Sequence, residues 1–215
     1  MAGIKTFTFN AFQVNTYIVF DETRNCLIID PGCYEKHEQK QLADFIKKEE
    51  LNVRGVLYTH GHIDHILGNN FVIEQYGTIT QIHRDSLPFL HGSREYGKVF
   101  GFETDEPALP AKFIEEGDTI AYGNRQLIAI HTPGHAAGSL CFYNEKESLV
   151  IVGDVLFSSS IGRTDLPTGD YDLLITSINE KLLSLPDHVK VYPGHGPATT
   201  IGQERRHNPF LNNLH

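Results

Sequence analysis

Cysteine is scarce in this sequence: Cys26, Cys33 and Cys141 are the only three among 215 residues. The number is odd and no CxxC spacing occurs, which argues against a disulfide framework and against a thiolate zinc site. They read as small buried residues. Basic residues are also few, 18 Lys and Arg against 27 Asp and Glu, for a formal net charge of -9. No basic run is longer than the pairs at 47–48 and 205–206. That balance argues against a nucleic-acid partner and against an acidic membrane surface, and favours a small-molecule substrate. Long apolar runs are missing too. The N-terminus, MAGIKTFTFNAFQVNTYIVF, alternates polar and apolar residues where a signal peptide needs an apolar stretch, and no segment approaches the roughly 18 residues of a membrane span. A cytoplasmic location is therefore expected. No internal repeat, linker or low-complexity stretch interrupts the chain, so 1–215 is expected to form one domain.

The apolar pattern predicts strands over Thr6–Phe9, Thr16–Phe20 and Asn25–Ile29, the last running into the turn Asp30-Pro31-Gly32. A surface helix follows over Lys36–Glu50, then a buried strand over Val53–Tyr58. A helix is expected over Ile63–Tyr76, a strand near Thr78–His83, and a loop-rich segment over Arg84–Ala111 that suits a substrate-covering loop. Four short strands are predicted at Ile120–Ala121, Gln126–His131, Ser139–Tyr143 and Ser148–Val152. Beyond them lie a helix over Asp170–Leu185, a strand over Lys190–Tyr192, and a terminal helix over Gly202–Leu214 anchored by Phe210 and Leu211. This order predicts an α/β chain with two sheets packed face to face and helices outside.

Thr59-His60-Gly61-His62-Ile63-Asp64-His65 packs three imidazoles and a carboxylate directly after a buried strand. Neutral imidazole nitrogens and ionised carboxylates suit Zn²⁺, and also Fe or Mn. The bland alternative, a solvated His-rich loop, explains so strict a pattern poorly. Three later Gly-punctuated turns, Thr132-Pro133-Gly134-His135, Gly153-Asp154 and Pro193-Gly194-His195, each offer a further ligand after a predicted strand.

Over nearly its whole length the chain resembles the metallo-β-lactamase superfamily, whose signature is HxHxDH followed by a His, an Asp and a His. The resemblance implies a four-layer αβ/βα sandwich with two mixed β-sheets. It also implies that His60, His62 and His135 hold one metal, that Asp64, His65 and His195 hold a second, and that Asp154 bridges them. Two Zn²⁺ per chain are expected, with Fe or Mn as alternatives. His37, His83, His91, His131, His188, His207 and His215 are left as surface or packing residues. True β-lactamases with two zincs commonly place Cys where this chain has Asp154, which lowers lactam hydrolysis to a minor alternative.

The run Gly153-Asp154-Val155-Leu156-Phe157 with Gly162-Arg163-Thr164-Asp165 is similar to glyoxalase II and its relatives, among them persulfide dioxygenases. The resemblance implies hydrolysis of an acyl thioester, a glutathione conjugate such as S-lactoylglutathione, with Asp64 and Asp154 as catalytic residues. Two metals would supply a nucleophile from water at neutral pH and polarise the carbonyl, and Asp64 would also take up the released proton. Arg163 matches the basic residue that meets a glutathione carboxylate, although Asp165 stands where that family offers a Tyr, and a surface salt bridge is the competing role. Glyoxalase II adds a C-terminal helical domain, whereas this sequence runs about 20 residues past His195, so weak glutathione binding is expected. Asp30 is expected to steady the metal-binding loop, with a plain turn residue as its competing reading. A mononuclear iron persulfide dioxygenase and a metal-stabilised binding module remain the rival functions. The second explains seven ligands poorly, because structural zinc sites usually close with four. Oligomeric state is not legible.

Overall fold

The computed structural model describes residues 2–212. The chain divides into two compact units. One takes the chain up to Ile114 together with Ala121–Gln126, and the other takes Glu115–Ile120 and the chain from Leu127 onward.

The first unit is built on a six-stranded mixed sheet, in the order β1 (Gly3–Phe9), β2 (Val14–Phe20), β3 (Asn25–Ile29), β4 (Asn52–Leu57), β5 (Thr80–Ile82) and β6 (Lys112–Phe113). The first three strands form an antiparallel meander, and β3 to β6 pair in parallel. Parallel strands need crossovers, and helix α1 (Lys36–Lys48) supplies the one between β3 and β4. Its Leu42 and Ile46 enter a core with Phe7, Ile18, Ile28, Val56 and Tyr58. Glu38 fixes its start, because the buried carboxylate accepts from the backbone N–H of Tyr34 and Glu35 and, across the unit, of Asn10.

The expected helix over Ile63–Tyr76 is two helices, α2 (Ile63–Ile66) and α3 (Asn69–Tyr76). Gly68 breaks it: its N–H is taken by the Pro31 carbonyl at 2.7 Å, and a Cβ there would lie 2.6 Å from the Cys33 sulfur. The expected loop over Arg84–Ala111 is also corrected. It holds a 3₁₀ turn (Arg84–Ser86) and a thirteen-residue helix, α4 (Leu87–Val99), with Pro at its start where the missing N–H costs nothing; only the stretch from Phe100 to Ala111 is irregular.

The second unit holds most of another six-stranded mixed sheet, ordered β14 (Thr199–Thr200), β13 (Lys190–Pro193), β10 (Leu149–Gly153), β9 (Leu140–Asn144), β8 (Arg125–His131) and β7 (Thr119–Tyr122). The tip of the β7–β8 hairpin, Ala121–Gln126, groups with the first unit. A small hairpin, β11 (Leu156–Phe157) and β12 (Ser160–Ile161), follows β10. The helix expected over Asp170–Leu185 is α5 (Tyr171–Ser177) continued by a π-helical turn (Ile178–Leu182). Leu174, Ile178 and Leu182 pack with Val150, Val152 and Val191 into this unit's core.

Helix α6 (Ile201–His207) is shorter than the Gly202–Leu214 expected, and the last residues of that expectation, like His215, lie outside the described residues. Leu211 is buried as an anchor should be, but Phe210, expected as a second anchor, is 42% exposed and does not serve as one. Among the described residues no helix is long and apolar enough to cross a membrane. The three cysteines are buried and unbridged, in line with their number and spacing.

Candidate metal centre

Strand β4 delivers the HxHxDH motif at its C-terminal end, the edge of a parallel sheet where open α/β folds place ligands. His60, His62 and His65 are 1%, 8% and 0% exposed, and Asp64 lies in the first turn of α2. Three imidazoles so buried need their nitrogens directed, and Asp30 directs two of them. Its carboxylate, 1% exposed at the end of β3, accepts from the Thr59 N–H at 2.7 Å, the Thr59 hydroxyl at 2.6 Å and His65 Nδ1 at 2.9 Å. An ionised carboxylate only accepts, so His65 carries its proton on Nδ1 and offers the Nε2 lone pair. That Nε2 stands 3.5 Å from Asp64 Oδ2. The Thr59 hydroxyl has spent its hydrogen on Asp30 and can only accept at His60 Nδ1, 3.0 Å away, which assigns the Nε2 lone pair of His60 to ligand binding as well. His60 Nε2 lies 3.0 Å from His62 Nδ1. Asp30 adopts φ +50, a left-handed conformation that Asp tolerates better than most side chains.

Close backbone approach holds the motif in place. Asn10, in the β1–β2 turn, donates through Nδ2 to the carbonyls of Gly32 and Asp64 at 2.9 and 3.0 Å. A Cβ on Gly61 would lie 2.9 Å from both the Ser86 carbonyl and Phe89, so glycine alone lets α4 reach this strand end. Phe89 then sets its ring edge-on to His62, with centroids 5.0 Å apart. Sequence reasoning missed Thr59, Asn10 and Phe89. Thr59 adjoins the motif and is legible from that position, whereas nothing local marks the other two.

In the second unit His135, Asp154 and His195 converge. Strand β10 carries a bulge against β13 between Ile151 and Gly153, and Gly153 at φ +51 turns Asp154 out of the sheet. The Gly194 N–H donates to the Gly153 carbonyl at 2.7 Å, which sets the His195 turn beside it. His195 Nε2 and His135 Nε2 then stand 3.5 and 3.8 Å from the same oxygen, Asp154 Oδ2. His135 Nδ1 donates to the Arg163 carbonyl at 2.8 Å, so here too the tautomer leaves the Nε2 lone pair for a ligand. The His135 turn rests on α5, where the Pro133 carbonyl accepts from Ser177 and Gly134, at φ +130, lies against the Leu174 backbone. Gly162 passes so close to Asp154 that a Cβ would sit 1.9 Å from its carbonyl oxygen.

The donors are imidazole nitrogens and carboxylate oxygens without a thiolate, a set that accepts zinc, iron or manganese. Arg163 points its guanidinium at Asp165, with Nε and Nη2 each 2.7 Å from a carboxylate oxygen. That pairing pulls the Asp165 carboxyl down to about 2. Both side chains are more than half exposed. Of the remaining histidines, His83 caps the 3₁₀ turn through Nδ1 and His131 donates from Nε2 to the Ala137 carbonyl, so both have packing duties.

The sequence profile of the metallo-beta-lactamase superfamily matches residues 9–195, a span containing every residue of the motif and its later partners. The chain belongs to the metallo-beta-lactamase superfamily. Membership makes it a metal-dependent hydrolase with that superfamily's α/β fold and two main mixed sheets. It is 38% identical to the hydroxyacylglutathione hydrolase GloC of Haemophilus influenzae over 98% of both chains. The crystal structure of the BLEG-1 B3 metallo-beta-lactamase is 35% identical with a TM-score of 0.87, covering 98% of this chain and 100% of that one. The structure of TTHA1623 in a di-iron-bound form is also 35% identical, with a TM-score of 0.86 and coverage of 96% and 100%. A di-iron relative means that the superfamily fold implies a metal without fixing which one.

Proposed function

We propose that the chain is a binuclear metal-dependent thioester hydrolase of the hydroxyacylglutathione hydrolase type, cleaving S-lactoylglutathione or a related acyl thioester into an acid and a thiol. The observation that carries the reading is the end-to-end likeness to GloC, 98% of each chain, in a sequence that contains every ligand of the superfamily pattern. In the proposed assignment His60, His62 and His135 hold one metal, Asp64, His65 and His195 the other, and Asp154 serves both, with zinc preferred over iron or manganese. Bound metal supplies a nucleophile from water at neutral pH and a sink for charge on the thioester carbonyl.

The rest falls to the chain. Asp30 and Thr59 keep the Nε2 lone pairs of His60 and His65 available, and the Arg163 carbonyl does the same for His135, so that these nitrogens would hold the metals. Asp64, 13% exposed where its neighbour His65 is fully buried, is the carboxylate that takes up the proton released from water. A thiolate leaves readily, so no acid is needed on the departing side. Arg163 would meet a carboxylate of the thiol half in competition with Asp165, which already engages its Nε and Nη2. Weak glutathione binding follows, and Asp165→Asn should tighten it.

Metal analysis of purified protein, a thioester assay and an oxygen electrode test the reading together. The expected result is close to two metals per chain and thioester cleavage without oxygen uptake. Oxygen consumption with glutathione persulfide and no thioester cleavage would overturn it. The likeness to BLEG-1 favours lactam hydrolysis as the second reading, which turnover of a chromogenic cephalosporin in the absence of thioesterase activity would establish.

A further inference from the structure

Helix α4 carries an apolar stripe on a side that is only partly covered. Positions 89, 92, 96 and 100 recur at i, i+3, i+7 and i+11, one side of a 3.6-residue helix, and hold Phe, Gly, Tyr and Phe. The stripe begins at the metal motif, where the Phe89 ring meets His62. It is notched at Gly92, where a Cβ would meet nothing within 4 Å. Tyr96 and Phe100, 40% and 44% exposed, continue it with rings 5.1 Å apart. Phe12, also 40% exposed, closes the far end edge-on to Phe100 at 5.3 Å. Both walls are tied to the motif. Asn10 fastens the Phe12 turn to the Asp64 carbonyl, and Gly97 of α4 lies over Ile63 of α2, where a Cβ would make ordinary contact at 3.5 Å. The charged side chains of α4, Arg94, Glu95 and Lys98, lie off the stripe.

We infer that this notched aromatic stripe is the subsite for the acyl half of the substrate, and that it selects an uncharged aryl or medium-chain acyl group over a small polar one. The inference rests on the thioesterase reading proposed above and narrows it, from S-lactoylglutathione to thioesters of larger, apolar acyl groups. No position of the stripe is charged, so the stripe cannot answer the carboxylates of a glutathione-like thiol, which leaves the acyl group as the half it suits. Its length fits as well: the seven residue steps from Phe89 to Tyr96 rise about 10 Å, further than a two- or three-carbon acyl group extends. Each methylene buried along such a wall should raise kcat/KM about three- to fourfold.

The test uses the metal-loaded full chain and thioesters of one small neutral thiol, N-acetylcysteamine, with acetyl, butanoyl, hexanoyl, octanoyl and phenylacetyl groups. The expected result is a rise of about three- to fourfold per methylene over the shorter members. Tyr96→Ser with Phe100→Ser should cut the octanoyl-to-acetyl ratio at least tenfold. Gly92→Leu, which fills the notch while favouring the helix, should cut it without removing an aromatic ring. Lys98→Ser, off the stripe, should leave the ratio at the wild-type value. A flat series from a protein that cleaves the acetyl thioester overturns the inference, as does an unchanged ratio in Gly92→Leu. If no thioester is cleaved, the proposed function fails by itself, and calorimetric titration of octanoate against acetate then decides the subsite: tighter octanoate binding lost in Gly92→Leu supports it, and equal binding overturns it. A dimer in sedimentation that the Tyr96→Ser, Phe100→Ser protein loses while keeping its chain-length preference would assign the stripe to a second copy of the chain and also overturn it.

Discussion

Replacing Asp30 by Asn is the sharpest probe of how the first metal-binding motif is organised. The two side chains have the same shape, and Asn tolerates the φ of +50 as well as Asp does, so the backbone has no reason to move. What changes is direction. One Asp30 oxygen accepts from the Thr59 N–H, and the other accepts from the Thr59 hydroxyl and from His65 Nδ1. The carboxamide keeps its oxygen on the backbone N–H and presents its NH₂ to the other two partners. His65 Nδ1 must then accept, which moves the ring proton to Nε2, the ligating atom in the proposed assignment. The Thr59 hydroxyl, now an acceptor at the amide, turns its own hydrogen toward His60 Nδ1 and pushes that proton to Nε2 as well. One atom change therefore reverses two tautomers while leaving the hydrogen bonds numerically intact.

Loss of a single such supporting contact typically costs 10- to 100-fold in metal affinity, about 1.4 to 2.7 kcal/mol, and two histidines are affected here. Competitive chelator titration should show at least a tenfold weaker metal site in Asp30→Asn, with the melting temperature of the metal-free protein within a few degrees of wild type. Asp30→Ala, by contrast, strands three buried donors at about 1–3 kcal/mol each and should lower that melting temperature sharply. Wild-type metal affinity in Asp30→Asn would refute the tautomer argument.

Three shorter predictions concern other parts of the molecule. Burial pushes the thiols of Cys26, Cys33 and Cys141 up to about 12, so they stay protonated to high pH; a disulfide reagent at pH 8 should label none in the native protein and three per chain in denaturant. Asp154→Ala should remove most activity and at least one metal by elemental analysis, whereas His37→Ala and His188→Ala, both exposed, should leave turnover nearly unchanged; equal losses at all three would contradict the assignment. Gly162→Ala should cost folded protein or bound metal, because its Cβ would lie 1.9 Å from the Asp154 carbonyl, and a variant with normal expression, metal content and melting would show that the approach leaves room for a methyl group.

The longer strands and α1 are legible because their apolar residues run or repeat in their own sequence, whereas the two-residue strands β6, β11, β12 and β14 are too short to carry a pattern; the motif is legible because three imidazoles in six positions have little other use. What escaped were features decided at a distance. Gly68 by itself only weakens the helix; the Pro31 carbonyl and the Cys33 sulfur, more than thirty residues away, impose the break. Helix α4 reads as a loop because Pro88, Gly92, Ser93 and Gly97 lower its propensity, and it forms because Leu90, Ser93 and Gly97 are buried, Leu90 in the core that also holds Ile63 and Ile66 of α2. The terminal helix ends at His207 because Asn208, fully buried, turns to an extended conformation and spends its side chain on Glu204 and the Ser160 carbonyl. Asp30 was singled out by its turn, but its route through Thr59 to His60 needed coordinates.

The glycines divide the surroundings of the metal motifs into closed and open ground for descent with modification. At Gly61, Gly134 and Gly162 any side chain would strike backbone at 2.9 Å or less, so a lineage that keeps this architecture has no room to drift there. Gly92 faces open space, and Tyr96 and Phe100 are partly exposed, so substitution there can proceed one residue at a time without disturbing a ligand. New substrate preferences in such a lineage would accumulate along α4, while the positions that shape the donors stay silent in any library built from this chain.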